Sequence, residues 1–232
     1  MTTDSKKNIE KAYASKLSEL LRQKWQIDGA PNEACWPDLL IGSNGVDFGL
    51  EVREIYSDEM RKGSPKRATE SRNIQRIKLI CKKYYEISSI PIKVNFLGNI
   101  ESSKLFINCL VTATKELKDF EQVRLEPDRG SVVFVTKLPV SCVNYSHWTY
   151  VSDKVGWVSE LDQKTIESKI LEKAAKLPKY SENINDVRLL LVHNSLFNSG
   201  KFNIPKDNTL QTLGFKKIYI LSYPDKVYVI GD

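Results

Sequence analysis

In the first quarter of the chain, the spacing of hydrophobic residues changes from the three or four residues typical of a helix to the alternation typical of β-strands. Near the N-terminus they recur three or four residues apart, which predicts an amphipathic helix over about residues 5–25. A loop with glycine and prolines follows. Short apolar runs then predict strands over 39–41 and 47–55, and the turn signal Ser43-Asn44-Gly45 between them predicts a β-hairpin.

Helices and strands continue to alternate along the rest of the chain. The pattern predicts helices over about 66–87, 103–120 and 161–177, the last ending at Pro178, and strands over 91–97 and 131–138. Residues 139–160 fit neither period, and three apolar strands follow near the C-terminus. This order predicts an α/β protein with a mixed central sheet flanked by helices. Without a repeat or a Gly/Ser linker, we expect residues 1–232 to form a single domain.

Among the charged residues in and beside the predicted hairpin are Asp38, Glu51, Arg53 and Glu54, which a strand core normally excludes unless they are paired or bind an ion. In the second strand alternation places Glu51 and Arg53 on one face, opposite the apolar side chains. Asp38 begins the neighbouring strand and can reach the same place. One interpretation is a simple Glu51–Arg53 ion pair. The other is that Asp38 and Glu51, with a backbone carbonyl, hold a hard divalent cation such as Mg²⁺ or Mn²⁺.

Composition narrows the function classes. The 41% hydrophobic and 28% charged residues are typical of a globular protein. The four cysteines include no CxxC pair, which argues against a zinc site and suits the reducing cytoplasm, where we expect the protein to reside. Only two histidines are present, so chemistry that needs several is disfavoured. No apolar run approaches the length of a membrane span, so no membrane partner is expected.

The net charge of +6 is concentrated in one window. Residues 61–83 contain nine basic residues and one acid, so the window carries +8 and the remainder of the chain −2. A run of one sign predicts a polyanionic partner, whereas a solvated surface helix usually mixes signs. The residues that we predict to contact nucleic acid are Arg61, Lys62, Lys66, Arg67, Arg72, Arg76 and Lys83. The alternatives are a merely solvated face, or a helix that docks an acidic protein.

The hairpin also carries a family resemblance. Pro37-Asp38, twelve intervening residues and Glu51-Val52-Arg53 together resemble the motif of the PD-(D/E)xK, or restriction-endonuclease-like, nucleases. The predicted order helix–strand–strand–helix–strand over about residues 5–97 is similar to the core of that superfamily. The C-terminal half carries no further motif, although its strands would extend such a sheet.

The resemblance implies a magnesium-dependent DNA endonuclease, with RNA as an alternative substrate. It implies Asp38, Glu51 and the carbonyl of Val52 as metal ligands. It also implies an acidic residue in the first helix, and Glu10 matches this position, with Glu19 as the alternative. It further implies a glutamine in the basic helix, and Gln75 matches that position. Cutting both strands of a duplex commonly uses two active sites, so a homodimer is compatible with this function. The alternative function is a catalytically inactive nucleic-acid-binding protein of the same fold.

Arg53 departs from the pattern, because the superfamily usually has lysine at this position. Arginine effectively never gives up its proton, so a general-base role for Arg53 is disfavoured. Three hypotheses remain. Arg53 acts only through its charge, a lysine from another element such as Lys78 or Lys93 has taken over the role, or the site is degenerate and the protein only binds nucleic acid.

Overall fold

A computed structural model describes residues 4–32, 34–58, 64–98, 100, 103–151, 159–160, 162–204 and 210–231. The chain divides into two compact units. The first unit contains Met1–Ser64 and Val158–Asp232, and the second unit contains Pro65–Trp157. In sequence, the second unit is therefore an insertion into the first.

The described residues form five α-helices and twelve β-strands. The helices are α1 (Asp4–Leu20), α2 (Pro65–Ile87), α3 (Ser103–Thr114), α4 (Gln163–Ala174) and α5 (Leu177–Tyr180). The strands are β1 (Gln26–Gly29), β2 (Leu39–Ser43), β3 (Val46–Glu54), β4 (Ile92–Gly98), β5 (Gln122–Leu125), β6 (Ser131–Lys137), β7 (Thr149–Val151), β8 (Ser159–Glu160), β9 (Val187–Asn194), β10 (Phe202–Asn203), β11 (Ile218–Tyr223) and β12 (Lys226–Ile230).

The first unit is built on a six-stranded mixed sheet in the order β1-β2-β3-β9-β11-β12. Strands β3, β9 and β11 are parallel, and antiparallel neighbours complete both edges. Apolar side chains of α1 cover one face of this sheet, and those of α4 cover the other. Strands β8 and β10 pair with each other in a separate two-stranded sheet. The predicted mixed α/β class is thus confirmed, since helices flank a mixed sheet.

The predicted hairpin is confirmed and joins β2 to β3 through two residues, Asn44 and Gly45. Both have positive φ angles, 50° and 78°, as a tight hairpin turn requires. Leu39 pairs with Leu50, and the chain before β2 turns so that Pro37 packs over Gly49. A Cβ atom at Gly49 would lie 2.3 Å from Cγ of Pro37, so only glycine fits there.

The second unit contains a four-stranded sheet in the order β5-β6-β4-β7. Its β4–β7 pair is parallel and its other pairs are antiparallel, so this sheet is also mixed. Helices α2 and α3 pack their apolar side chains against the same face of β4 and β6. The core is rich in aromatic residues, including Tyr84, Phe96, Phe106 and Trp148.

Several element boundaries differ from the sequence predictions. Helix α1 ends at Leu20 and α3 at Thr114, and the short polar edge strands β1 and β5 follow where helix or loop was expected. The helix predicted to end at Pro178 is two helices, and Pro178 lies in the first turn of α5. Proline is tolerated there because a first-turn N–H has no intrahelical acceptor.

The order expected over residues 5–97 is present along the chain, but its last strand pairs elsewhere. Strand β4 belongs to the sheet of the second unit, and the parallel neighbour of β3 is β9. The C-terminal strands β9, β11 and β12 extend the sheet that contains the hairpin. Within the described residues, no helix combines the length and the apolar character needed to cross a membrane.

Candidate active site

The site begins where β3 runs past the start of β2. Strand β2 starts at Leu39, opposite Leu50, so Val52 lies beyond the last backbone pair of the hairpin. The N–H of Val52 donates instead to Oδ2 of Asp38, at 2.8 Å. In a β-strand the carbonyl of a residue faces the same side as its N–H. The carbonyl of Val52 therefore points away from β9 and toward the side of β3 on which Asp38 lies.

Glu51 is fully buried and has three hydrogen-bond donors from the C-terminal segment. Lys173 in α4 donates to Oε1 at 2.6 Å, and Lys176 donates to the same oxygen at 2.9 Å. The hydroxyl of Tyr180 donates to Oε2 at 2.9 Å. Burial by itself would raise the pKa of Glu51, but the two lysines outweigh it and lower that pKa below its usual value. Glu51 is thus held ionised in the core.

Asp38 lies close to this carboxylate, and Glu10 lies close to Asp38. Burial, and then the charge of Glu51, raise the pKa of Asp38, against the opposing effect of the Val52 N–H. Burial, and then the charge of Asp38, raise the pKa of Glu10, which is only 5% exposed. Lys6 contacts Glu10 at 3.1 Å and opposes that shift. Like charges gathered in a partly desolvated place shift pKa values in this way, which is typical of functional sites.

A cleft of about 360 Å³ opens beside these residues. Glu10 and Tyr13 of α1 line one part, and Val52, Arg53 and Lys173 line another. The guanidinium of Arg53 is half-buried and lies 4.0 Å from Glu172. A positive charge on Arg53 and one on Lys173 therefore face the same cleft as the acid Glu10.

Glu54 is a further acid that lines the cleft, and two phenols hold it in place. The hydroxyls of Tyr13 and Tyr56 donate to its two carboxylate oxygens, each at 2.5 Å. This arrangement ties α1 to the end of β3. It connects three of the residues that line the cleft, Tyr13, Glu54 and Tyr56.

The sequence-predicted residues fall into both units. Glu10 lines the cleft, whereas its rival Glu19 is exposed and pairs with Lys16 at 3.0 Å. Gln75 is an exposed residue of α2 in the second unit, so its role in the site stays a prediction. Lys78 and Lys93 are also exposed residues of the second unit.

The basic residues predicted to contact nucleic acid have different surroundings. Arg61 and Lys62 lie outside the described residues. On α2, Lys66, Arg72 and Lys83 are exposed, whereas Arg67 and Arg76 are half-buried. Arg76 donates a hydrogen bond to the carbonyl of Ile100, so it also supports the second unit.

Sequence reasoning missed Lys173, Lys176 and Tyr180. One signal could have found the first. Ile166 and Ile170 are fully buried in α4, and Lys173 follows at the helical spacing of three residues. A lysine in the apolar stripe of a helix needs a buried acid as its partner. That partner, Glu51, lies 122 residues earlier, beyond the reach of local patterns.

The donor set of the site fits a hard divalent cation in its chemistry. Two carboxylates, Asp38 and Glu51, and the carbonyl of Val52 offer oxygen ligands, and Mg²⁺ completes such a set with water. A cation there would also relieve the repulsion that raises the pKa of Asp38. Among the described side chains, no group of three or more His, Cys, Asp or Glu residues is placed to hold a metal ion, so a cation here would have to be bound by the two carboxylates, the carbonyl and water.

Comparison with known proteins adds no identity. No family model matches the chain, and neither a curated protein nor a solved structure matches it. The function is therefore inferred from the residues and geometry of the site.

Proposed function

We propose that the protein is a magnesium-dependent endonuclease acting on DNA. The observation that carries this proposal is the proximity of Asp38 to Glu51 and to Glu10, beside a cleft that Glu10 and the Glu51-bound Lys173 line. These residues come from α1, the hairpin and α4. Burying Asp38 beside Glu51 is unfavourable by itself, and binding a cation is a physical reason to retain this pair of carboxylates.

The order of elements in the first unit supports this proposal. With the short elements β1, β8 and α5 left out, helix α1, the β2–β3 hairpin, helix α4 and strand β9 follow the helix–strand–strand–helix–strand order of the restriction-endonuclease-like core. The second unit interrupts that order between β3 and α4. The core that we propose is therefore assembled from both ends of the chain.

Asp38, Glu51 and the Val52 carbonyl would hold the metal ion. When bound, Mg²⁺ would activate water and offset the negative charge that develops on the phosphodiester. Lys173 contributes an ammonium group to the cleft, which corresponds to the hypothesis that a lysine from another element has taken over the role, although with a different lysine from Lys78 or Lys93. Arg53 lies in the same cleft and can stabilise developing charge without moving a proton. Both cations thus act on the phosphate, and neither has to replace the other.

A catalytically inactive nucleic-acid-binding protein is the second candidate. One observation favours it: both oxygens of Glu51 already accept hydrogen bonds, from two lysines and a tyrosine. Such a network can be purely structural. Under this reading α2 still binds nucleic acid through its exposed basic residues, but no metal ion displaces the lysines.

The deciding experiment is incubation of supercoiled plasmid with the purified protein and Mg²⁺ or Mn²⁺, with a chelator as control. We expect nicking or linearisation that Asp38→Asn abolishes. Asp47→Asn is the matched control, because Asp47 is an exposed acid of the same hairpin and should leave cleavage unchanged. Calorimetric titration with Mn²⁺ provides a second readout, in which Asp38→Asn should weaken binding. Binding of nucleic acid without metal uptake or cleavage would favour the inactive candidate.

A further inference from the structure

The second unit contains a cavity of about 240 Å³ between α2 and the segment that leads into β7. Ile74, Ile77, Lys78 and Cys81 of α2 form one side. Ser146, His147, Trp148 and Tyr150 form the other. We call this space the Trp148 cavity. Three of its eight lining side chains are aromatic or heteroaromatic rings, and one is a lysine.

The indole of Trp148 is held rigidly at the inner end of the cavity. Its Nε1–H donates to the carbonyl of Ile92 at 3.0 Å. The rings of Tyr84 and Phe96 lie 5.6 and 6.0 Å from it, between centroids. Trp148 is consequently 9% exposed and cannot rotate away without breaking this aromatic core. A ring fixed in this way is preorganised to receive another flat ring.

The outer side chains are accessible and polar at their tips. His147 is exposed, and the ring of Tyr145 contacts it edge-on at 5.6 Å between centroids. Tyr150 is half-buried, and Lys78 is exposed at the entrance. The cavity therefore offers flat walls for stacking and a positive charge beside the opening.

The net positive charge of the protein is concentrated in the unit that contains the Trp148 cavity. The second unit contains fifteen basic and nine acidic residues, whereas the first unit contains twenty of each. The whole net charge of +6 therefore belongs to the second unit. On α2 the exposed cations Lys78, Lys82 and Lys83 lie near or beyond the cavity along the helix. A polyanion bound by these three cations of α2 would lie beside the Trp148 cavity, because Lys78 lines it.

From these observations we infer that the Trp148 cavity binds one unstacked base of single-stranded nucleic acid. The base stacks between the aromatic walls, and its flanking phosphates contact Lys78 and its neighbours on α2. A cavity of 240 Å³ is smaller than the clefts of ~300–1,000 Å³ that bind whole drug-sized ligands, so it suits a single ring system. Stacking of bases on aromatic side chains is the usual basis of recognition that tolerates any sequence. This inference rests on the proposed function only in taking nucleic acid as the ligand.

The test compares two fluorescently labelled strands of equal length by anisotropy in a chelator-containing buffer, with the full-length protein. One strand is an ordinary oligodeoxynucleotide, and the other is an abasic sugar–phosphate strand. We expect the wild type to prefer the ordinary strand. His147→Ala and Tyr150→Ala should each weaken binding to that strand by about fivefold or more. Neither change should alter affinity for the abasic strand, whereas Lys78→Ala should weaken binding to both.

Phe120→Ala is the matched control, because Phe120 is a 71% exposed aromatic residue of the same unit. It should leave both affinities unchanged. His147 is exposed, so its replacement keeps the test valid even where Tyr150→Ala disturbs the fold. Equal wild-type affinity for the two strands, or unchanged binding by His147→Ala, would overturn the inference. The buffer contains a chelator, so this binding test does not depend on whether the protein cleaves DNA. Failure of the proposed nuclease function and failure of this inference can therefore be told apart.

Discussion

Replacing Lys173 by methionine isolates the energetic role of the buried ion pair with Glu51. Methionine keeps much of the length and volume of the lysine stem but removes the ammonium group. Glu51 then keeps Lys176, whose side chain is 47% exposed, and the hydroxyl of Tyr180. The carboxylate itself stays buried, with a side chain 1% exposed. The change therefore leaves a core carboxylate only partly compensated.

The expected loss in the free energy of unfolding is about 3 kcal/mol at pH 7. Removing one partner of a buried ion pair costs roughly 3–5 kcal/mol, and Lys176 places this case at the lower end. The dependence of the unfolding free energy on pH should also change. In the wild type the pKa of Glu51 is lowered, so its contribution is fully present above the unfolded pKa and is lost as pH falls through the folded pKa. In Lys173→Met, burial is opposed less, so the pKa of Glu51 rises and this carboxylate becomes protonated at a higher pH than in the wild type. Protonation removes the uncompensated charge, so the difference in unfolding free energy between the variant and the wild type should shrink on acidification.

Urea unfolding followed by circular dichroism at pH 7 and at about pH 5 measures both effects. Lys164→Met is the matched control, because Lys164 is an exposed residue of the same helix and its loss should change stability by less than about 0.5 kcal/mol. Adding Glu51→Gln to Lys173→Met should recover part of the loss, since the uncompensated charge is gone. A Lys173→Met protein as stable as Lys164→Met would refute the account of this pair.

Three further predictions concern other parts of the chain. Gly49→Ala should destabilise the protein by about 1–3 kcal/mol in urea unfolding, because the new Cβ would lie 2.3 Å from Pro37, and it should reduce Mn²⁺ binding by displacing Asp38. Burial lowers the pKa of His193, whose Nδ1 contacts the carbonyl of Gly200, so unfolding free energy should fall as pH drops below about 6.5, and His193→Phe should flatten this slope. Combined Arg72→Ala, Lys82→Ala and Lys83→Ala should weaken DNA binding and reduce its salt dependence, while alanines at the exposed Lys11, Lys164 and Lys226 should not. Equal effects of the two triple substitutions would show that net charge alone matters.

The sequence predicts the local features of the site well. Alternation places Glu51 and the apolar residues of β3 on opposite faces, and Asn44-Gly45 defines the turn. These features depend on neighbours a few residues apart, so period and turn chemistry are sufficient. Glu10 could be placed in the first helix for the same reason.

The long-range features could not be predicted in this way. The pairing of β3 with β9 joins Glu51 to Leu189, and the partner of Glu51 lies in α4. Hydrophobic period identifies a strand but not its neighbour in a sheet, so β4 was an equally good candidate for that position. For the same reason the two sheets could not be separated, and Lys173 was not connected with the hairpin.

The separation of 122 residues between Glu51 and Lys173 has a consequence during synthesis. At ribosomal rates of ~5–20 residues per second, roughly 6–24 s pass between the emergence of the acid and that of its partner. The second unit, being continuous in sequence, can fold in this interval. The hairpin cannot bury Glu51 favourably until α4 arrives, so the nascent chain remains without a complete site. Folding of the first unit should accordingly be the slow, late step, and truncated chains that end before α4 should expose the hairpin to proteases.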